Sequence, residues 1–298
     1  MQITTPLVNQ FLRTCVTKRL SPHTLKAYRI DLAQIQQYFQ EKEISKSNLT
    51  TYISSLSNSY KAKSVKRKLA SLNVFFEYLV FEELIEQNPL LKVKHKIKEE
   101  KRLPSTINLS DLCIIFTSAQ ASRNILVQRD LAVLETLIST GIRVSELCSI
   151  KINDINFAES YIKVNGKGSK ERIVYLNDSV KSILYDYYHH FKSPIDACGY
   201  LFINKHHKPL SDQSVRSMIK KYSMKVFKHI TPHMFRHTFA TMLLEQEVDI
   251  SYIQKILGHS SITTTAIYAY ASNAKQKDIL KNKNPRQMLS SYQDIAKF

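Results

Sequence analysis

The sequence predicts two domains: an all-helical N-terminal domain, then a C-terminal domain that is mixed, mainly α, with a small antiparallel sheet. Three observations carry this. Apolar residues in the first eighty positions recur at steps of three and four. Tyr161–Leu176, YIKVNGKGSKERIVYL, places β-branched residues on both sides of an Asn-Gly-rich centre, a hairpin signal among otherwise helical patterns. Between the two regions, KVKHKIKEEKR (Lys92–Arg102) holds eight charged residues in eleven and is followed by Pro104, which reads as a flexible basic linker. The expected boundaries are residues 1–91, linker 92–104, second domain 105–275 and a tail, 276–298. At 298 residues the chain is long enough to need two cores.

Taken in order, a first helix is expected over Leu7–Cys15. In SPHTLKAYRIDLAQIQQYFQ, Ser21 and Pro22 form a cap and first-turn pair, and Leu25, Tyr28, Leu32, Ile35 and Phe39 make one apolar stripe. A shorter helix spans Leu49–Leu56. The next, in KAKSVKRKLASLNVFFEYLV, carries Val65, Leu69, Leu72, Phe76 and Leu79. Its start holds Lys61, Lys63, Lys66, Arg67 and Lys68, a density that points to DNA phosphates rather than to a merely solvated face. In the second domain helical patterns cover Ser110–Ala119, Arg123–Thr140, Ser179–Phe191, Ser211–Lys228 and Pro232–Glu245.

Lys plus Arg total 43 against 25 Asp plus Glu, a formal charge of +18, so the expected partner is polyanionic. The first 102 residues hold half of that excess in a third of the length. Only five glycines occur, and neither G-x-x-x-x-G-K-[ST] nor G-x-G-x-x-G can be written, which argues against phosphate-cradling nucleotide folds. Cys15, Cys113, Cys148 and Cys198 stand alone, so neither a thiolate zinc site nor a disulfide framework is expected. No apolar run long enough for a membrane span is visible, and a cytoplasmic, nucleoid-associated protein of bacterial type is expected.

The few glycines are informative because each marks a backbone turn or a close approach. Gly141 ends a helix just before Arg143, Gly166 and Gly168 bracket Lys167 at the hairpin tip, and Gly258 ends a short helix just before His259. His233 and Arg236 form H-x-x-R on one helix face, and Tyr268 lies nine residues after His259. H-x-x-R alone arises readily by chance; six polar groups in this order do not.

With those residues in place, the chain resembles the tyrosine recombinase (phage integrase) family, most closely its two-domain, Xer-like members. The segments that carry the resemblance are TGIRVSEL (140–147), GKGSKERIVYL (166–176), TPHMFRHTFATMLLE (231–245) and LGHSSITTTAIY (257–268). SPHTLKAYRIDL and SVKRKLASLNVFFEYL resemble the family's SAM-like helical core-binding domain, so the likeness spans roughly residues 5–275. The resemblance implies a tyrosine recombinase fold and cleavage of DNA without ATP, metal or other cofactor.

It also implies roles. Arg143 and Arg236 would present charged forks to the scissile phosphate, and Tyr268 would attack it to give a 3′-phosphotyrosine. Lys167 would protonate the departing 5′ oxygen, His233 would exchange the proton of the tyrosine hydroxyl, and His259 would donate a hydrogen bond to the phosphate. Glu146, one turn from Arg143, either orients that arginine or pairs with solvent. His237 is expected to be structural. Tyr270 follows Tyr268 by two residues and is the rival nucleophile.

By the same resemblance the domains clamp double-stranded DNA, with the linker lysines Lys92, Lys94 and Lys96 near the duplex, and a homotetramer exchanges strands between two synapsed sites through a Holliday junction. The tail, with Met288, Ile295 and Phe298, would dock in a neighbouring protomer. A second recombinase or an accessory protein is left open. So is the choice between resolving dimers and integrating or excising a mobile element, although no arm-binding domain precedes residue 5. The alternatives are a type IB topoisomerase-like nicking-closing enzyme and a non-catalytic DNA-binding relative.

Overall fold

A computed structural model describes residues 3–93, 97–98, 104–166 and 171–258. The chain divides into two compact units, residues 1–101 and 102–298.

The first unit is helical among its described residues. It comprises α1 (Thr5–Thr17), α2 (Pro22–Tyr38), α3 (Lys46–Ser59), α4 (Ala62–Phe81) and a 3-10 turn at Pro89–Lys92. Local chemistry starts the helices: the Ser21 hydroxyl accepts from Thr24 N–H and Ser45 from Asn48 N–H, each covering an orphan donor of a first turn. The expected stripes face inward. Leu32, Ile35 and Phe39 meet Leu72, Phe76 and Leu79 in a core that Phe11 joins through an edge-on contact with Phe75. Val93 is buried and Ile97 packs against this core, although composition placed both in the linker. They are the two aliphatic side chains in that charged run, and burial recruits them.

Lys68 is a correction. It was expected to meet DNA with its neighbours, but it is buried, because it falls on the same helix face as Val65 and Leu72. There its ammonium donates to Asp31 Oδ1 at 3.2 Å and to Gln34 Oε1 at 2.5 Å, and it lies 4.7 Å from the Tyr60 ring centre. Asp31, also buried, accepts in addition from Arg67 and from the Ser71 hydroxyl. A buried carboxylate with three donors is the knot that fixes α4 on α2.

The second unit contains α5 (Leu109–Gln120), α6 (Val127–Thr140), α7 (Val144–Ser149), β1 (Ile155–Asn156), β2 (Tyr161–Asn165), β3 (Glu171–Tyr175), α8 (Asp178–His190), α9 (Lys192–Cys198), α10 (Asp212–Tyr222), α11 (Pro232–Glu245) and α12 (Ile250–Leu257). The three strands form an antiparallel sheet in the order β1-β2-β3, with Ile162 opposite Val174 and Asn165 opposite Glu171. Helix α6 is central: Ala132, Val133, Leu134 and Leu137 are fully buried among α5, α8 and α11. Among the described residues, no helix is long and apolar enough to cross a membrane.

Two expected helices are shorter than their periodicity suggested. The pattern from Arg123 begins as helix only at Val127, because the Asn124 side chain accepts from Leu126 N–H and favours a turn. The pattern Ser211–Lys228 breaks after Tyr222 into a 3-10 turn, Met224–Val226, and Phe227 takes a left-handed φ of +53°. Three elements were not expected. Helices α7 and α9 span six and seven residues, and β1 only two, too few for a period to show.

Candidate active site

Two left-handed glycines set the frame. Gly141 closes α6 at φ +60° and Gly258 closes α12 at φ +64°, as expected from a chain that uses glycine so sparingly. At Gly141 the missing Cβ matters as much as the φ, since one placed there would lie 2.4 Å from Phe239 Cδ1 and 2.9 Å from Leu257 Cδ2. The α6 end, α11 and α12 therefore meet where side-chain bulk is not tolerated.

Arg143 follows Gly141 by two residues and is the N-cap of α7. Glu146, at the third helical position, reaches back to accept from the Arg143 N–H at 2.8 Å, and its other oxygen accepts from Arg143 Nη1 at 2.7 Å. The structure thus resolves the two readings of Glu146 in favour of orientation: it is 5% exposed and pairs with arginines. Arg143 itself keeps 31% of its side chain exposed.

A residue not singled out from the sequence completes this cluster. Arg172 of β3 donates to both Glu146 oxygens, Nη1 to Oε1 at 3.0 Å and Nη2 to Oε2 at 2.9 Å, and its Nε donates to the Ile256 carbonyl at 3.1 Å. The signal was present: strand alternation puts Arg172 on the face of the buried Val174. Burial of Glu146 opposes its charge, but the bonds from Arg172 and Arg143 outweigh this and hold the carboxyl below its ordinary range.

On α11, His233 and Arg236 share a face, with His233 exposed and Arg236 buried. Arg236 donates from Nη1 to the Gly141 carbonyl and from Nη2 to the Leu257 carbonyl, both at 2.7 Å. The last carbonyls of a helix have no partner within it, so Arg236 and Arg172 together satisfy two of them on α12. The ring of His237 stacks near that of His233, 6.4 Å between centres. Burial first, and then the charges of His233 and Arg236, push its pKa down to about 4, so His237 is neutral near pH 7.

Of the expected site residues, the structure brings Arg236 against the turn that leads to Arg143 and places His233 one turn away on the same helix. Lys167, His259 and Tyr268 lie outside the described residues, as do Lys94, Lys96, the rival Tyr270 and the tail residues Met288, Ile295 and Phe298. In the first unit Lys61, Lys63, Lys66, Arg67 and Lys92 are exposed. Among the described residues no group of three His, Cys, Asp or Glu side chains could hold a metal ion.

The sequence and the fold match known proteins. Residues 115–275 match the phage integrase family, and residues 8–83 match the phage integrase N-terminal SAM-like domain. A tyrosine recombinase of Agathobacter rectalis is 47% identical over 297 residues, covering 94% of this chain and 96% of that protein. The tyrosine recombinase XerD of Staphylococcus haemolyticus is 32% identical over 293 residues, covering 94% and 99%. Among solved structures, a lambda integrase tetramer bound to a Holliday junction shares the fold with a TM-score of 0.71 and 19% identity, covering 88% of this chain and 76% of that one. The family match over more than half of the chain and 47% identity along nearly the whole of a named tyrosine recombinase lead to one conclusion: the chain belongs to the phage integrase family and is a tyrosine recombinase.

Proposed function

We propose that this chain performs site-specific recombination by cutting and rejoining double-stranded DNA through a 3′-phosphotyrosine, with Arg143, Lys167, His233, Arg236, His259 and Tyr268 as its catalytic residues. A phosphodiester repels nucleophiles, so cleavage needs fixed cations, an internal nucleophile and a proton for the leaving oxygen. Arg143 presents a permanently charged guanidinium to the phosphate oxygens, and Arg236, its fork held on the Gly141 and Leu257 carbonyls, adds its permanent charge beside them, so that both stabilise the charge that builds up in the pentacovalent transition state. Tyr268 attacks phosphorus and its proton passes to His233; the P–O5′ bond breaks and Lys167 protonates the leaving oxygen. The phosphotyrosine bond stores the energy for religation, so no nucleotide hydrolysis is required. His259 donates a hydrogen bond to a phosphate oxygen.

The observation that carries the reading is the Arg236 fork on the carbonyls of Gly141 and Leu257. It gathers the helix of His233, the turn into Arg143 and the end of α12, after which the sequence continues to His259. The exposed Lys61, Lys63, Lys66 and Lys92 are assigned to DNA phosphates, with Lys94 and Lys96 following in sequence, and Arg67, half-exposed and paired with Asp31, adds to the charge of the same face. Residues 1–91, with Val93 and Ile97 packed onto them, bind core DNA, the rest of 92–104 links, 105–275 catalyse, and 276–298 engage a neighbouring protomer. A homotetramer on two synapsed sites is the working assembly, as in the lambda integrase tetramer on a Holliday junction.

The test is covalent capture on nicked suicide substrates carrying candidate sites, run in EDTA. A protein–DNA adduct that survives denaturant is expected. Cleavage that requires a divalent ion, or that leaves no adduct, would overturn the proposal.

A further inference from the structure

We infer that Arg172 is a positioning residue for cleavage: it locks Glu146 against Arg143 and ties that pair to the end of α12. The inference rests on the reading of Arg143 as a phosphate ligand.

Arg172 uses three different nitrogens on three acceptors, both Glu146 oxygens and the Ile256 carbonyl. A planar fork meets that geometry and a lysine, with one nitrogen, does not. The shared carboxylate explains why it is needed. Each Glu146 oxygen accepts from both residues, Oε1 from Arg143 Nη1 and Arg172 Nη1, Oε2 from the Arg143 N–H and Arg172 Nη2. Two guanidiniums against one carboxylate leave the cluster with net charge +1. Arg172 is 13% exposed and Arg143 31%, so that surplus is presented through Arg143. Without Arg172, Glu146 would neutralise Arg143 alone, and a neutralised Arg143 is a poor phosphate ligand.

An independent observation concerns Gly258. A Cβ there would lie 3.1 Å from Arg172 Cδ and 3.2 Å from its Nε and Nη1, so the glycine that closes α12 leaves room for the Arg172 side chain. Arg172 therefore joins the β2–β3 hairpin, within which Lys167 falls in sequence, to α7 through Glu146 and to the last turn of α12 through Ile256, three residues before His259 in sequence. A loose tie would displace groups that must act together, and such misplacement costs roughly 10²-fold in rate.

The experiment compares full-length wild type, Arg172→Gln and Arg172→Lys for melting temperature, binding to site DNA, and single-turnover covalent capture from about pH 5 to 9. Expected for Arg172→Gln is binding close to wild type, capture roughly 10²-fold slower, and a partial recovery of rate toward acid pH, where Glu146, having lost one of its two guanidiniums, is protonated and no longer neutralises Arg143. Arg172→Lys, with charge kept and fork lost, should melt near wild type and capture about tenfold more slowly. Wild-type rate and pH profile in Arg172→Lys would overturn the inference. So would a rate loss in Arg172→Gln that disappears at temperatures where it is fully folded, which would mark Arg172 as an anchor only. Absence of adduct in wild type would instead overturn the recombinase chemistry beneath it.

Discussion

Arg236 donates to the Gly141 carbonyl at 2.7 Å, so the helix that carries His-x-x-Arg is bonded to the turn that carries Arg143. Arg236→Lys keeps a charge but cannot span the carbonyls of both Gly141 and Leu257. Single-turnover capture should slow by roughly 10²- to 10³-fold while site binding persists. A rate within error of wild type would remove Arg236 from the site.

Gly141 and Gly199 offer a matched comparison. Both have positive φ, but a Cβ at Gly141 strikes Phe239 and Leu257, whereas nothing lies within 4 Å at Gly199. Gly199→Ala should cost about 1 kcal/mol from the left-handed backbone alone. Gly141→Ala adds overpacking and should cost about 3 kcal/mol in urea denaturation. Equal costs would contradict the packing around Gly141.

Salt dependence separates inward from outward lysines. Lys63→Met should lower the salt slope of DNA binding by about one, with stability nearly unchanged. Lys68→Met should leave the slope alone and destabilise the first unit by roughly 3 kcal/mol, since it breaks a buried pair with Asp31. The reverse pattern would restore Lys68 to the DNA-facing set.

His237 makes stability depend on pH. Its pKa is about 4 in the fold against an ordinary 6.5, so between these values the unfolded chain binds a proton that the fold does not. Its contribution is complete above about pH 6.5 and is lost as the pH falls toward 4. Denaturation of His237→Gln across that window should show a shallower fall than wild type. An identical slope would mean His237 titrates normally.

Much of this was legible in the sequence because it is periodic or local. The stripes of α2 and α4, the hairpin, and the left-handed ends at Gly141 and Gly258 follow from spacing and from what glycine alone permits. What could not be read joins distant positions. Lys68 and Asp31 are 37 residues apart, and one position on the helical wheel decides whether a lysine meets solvent or a buried carboxylate. Arg172 sits inside a segment that resembled the family, yet its partners are 26 and 84 residues away, and periodicity carries no information about that pairing.

Peptide mapping of the covalent protein–DNA adduct, with Tyr268→Phe and Tyr270→Phe beside wild type, identifies the nucleophile. DNA is expected on Tyr268, with no adduct in Tyr268→Phe despite near-normal binding and capture retained in Tyr270→Phe. An undiminished adduct in Tyr268→Phe, mapped to Tyr270, would contradict that assignment.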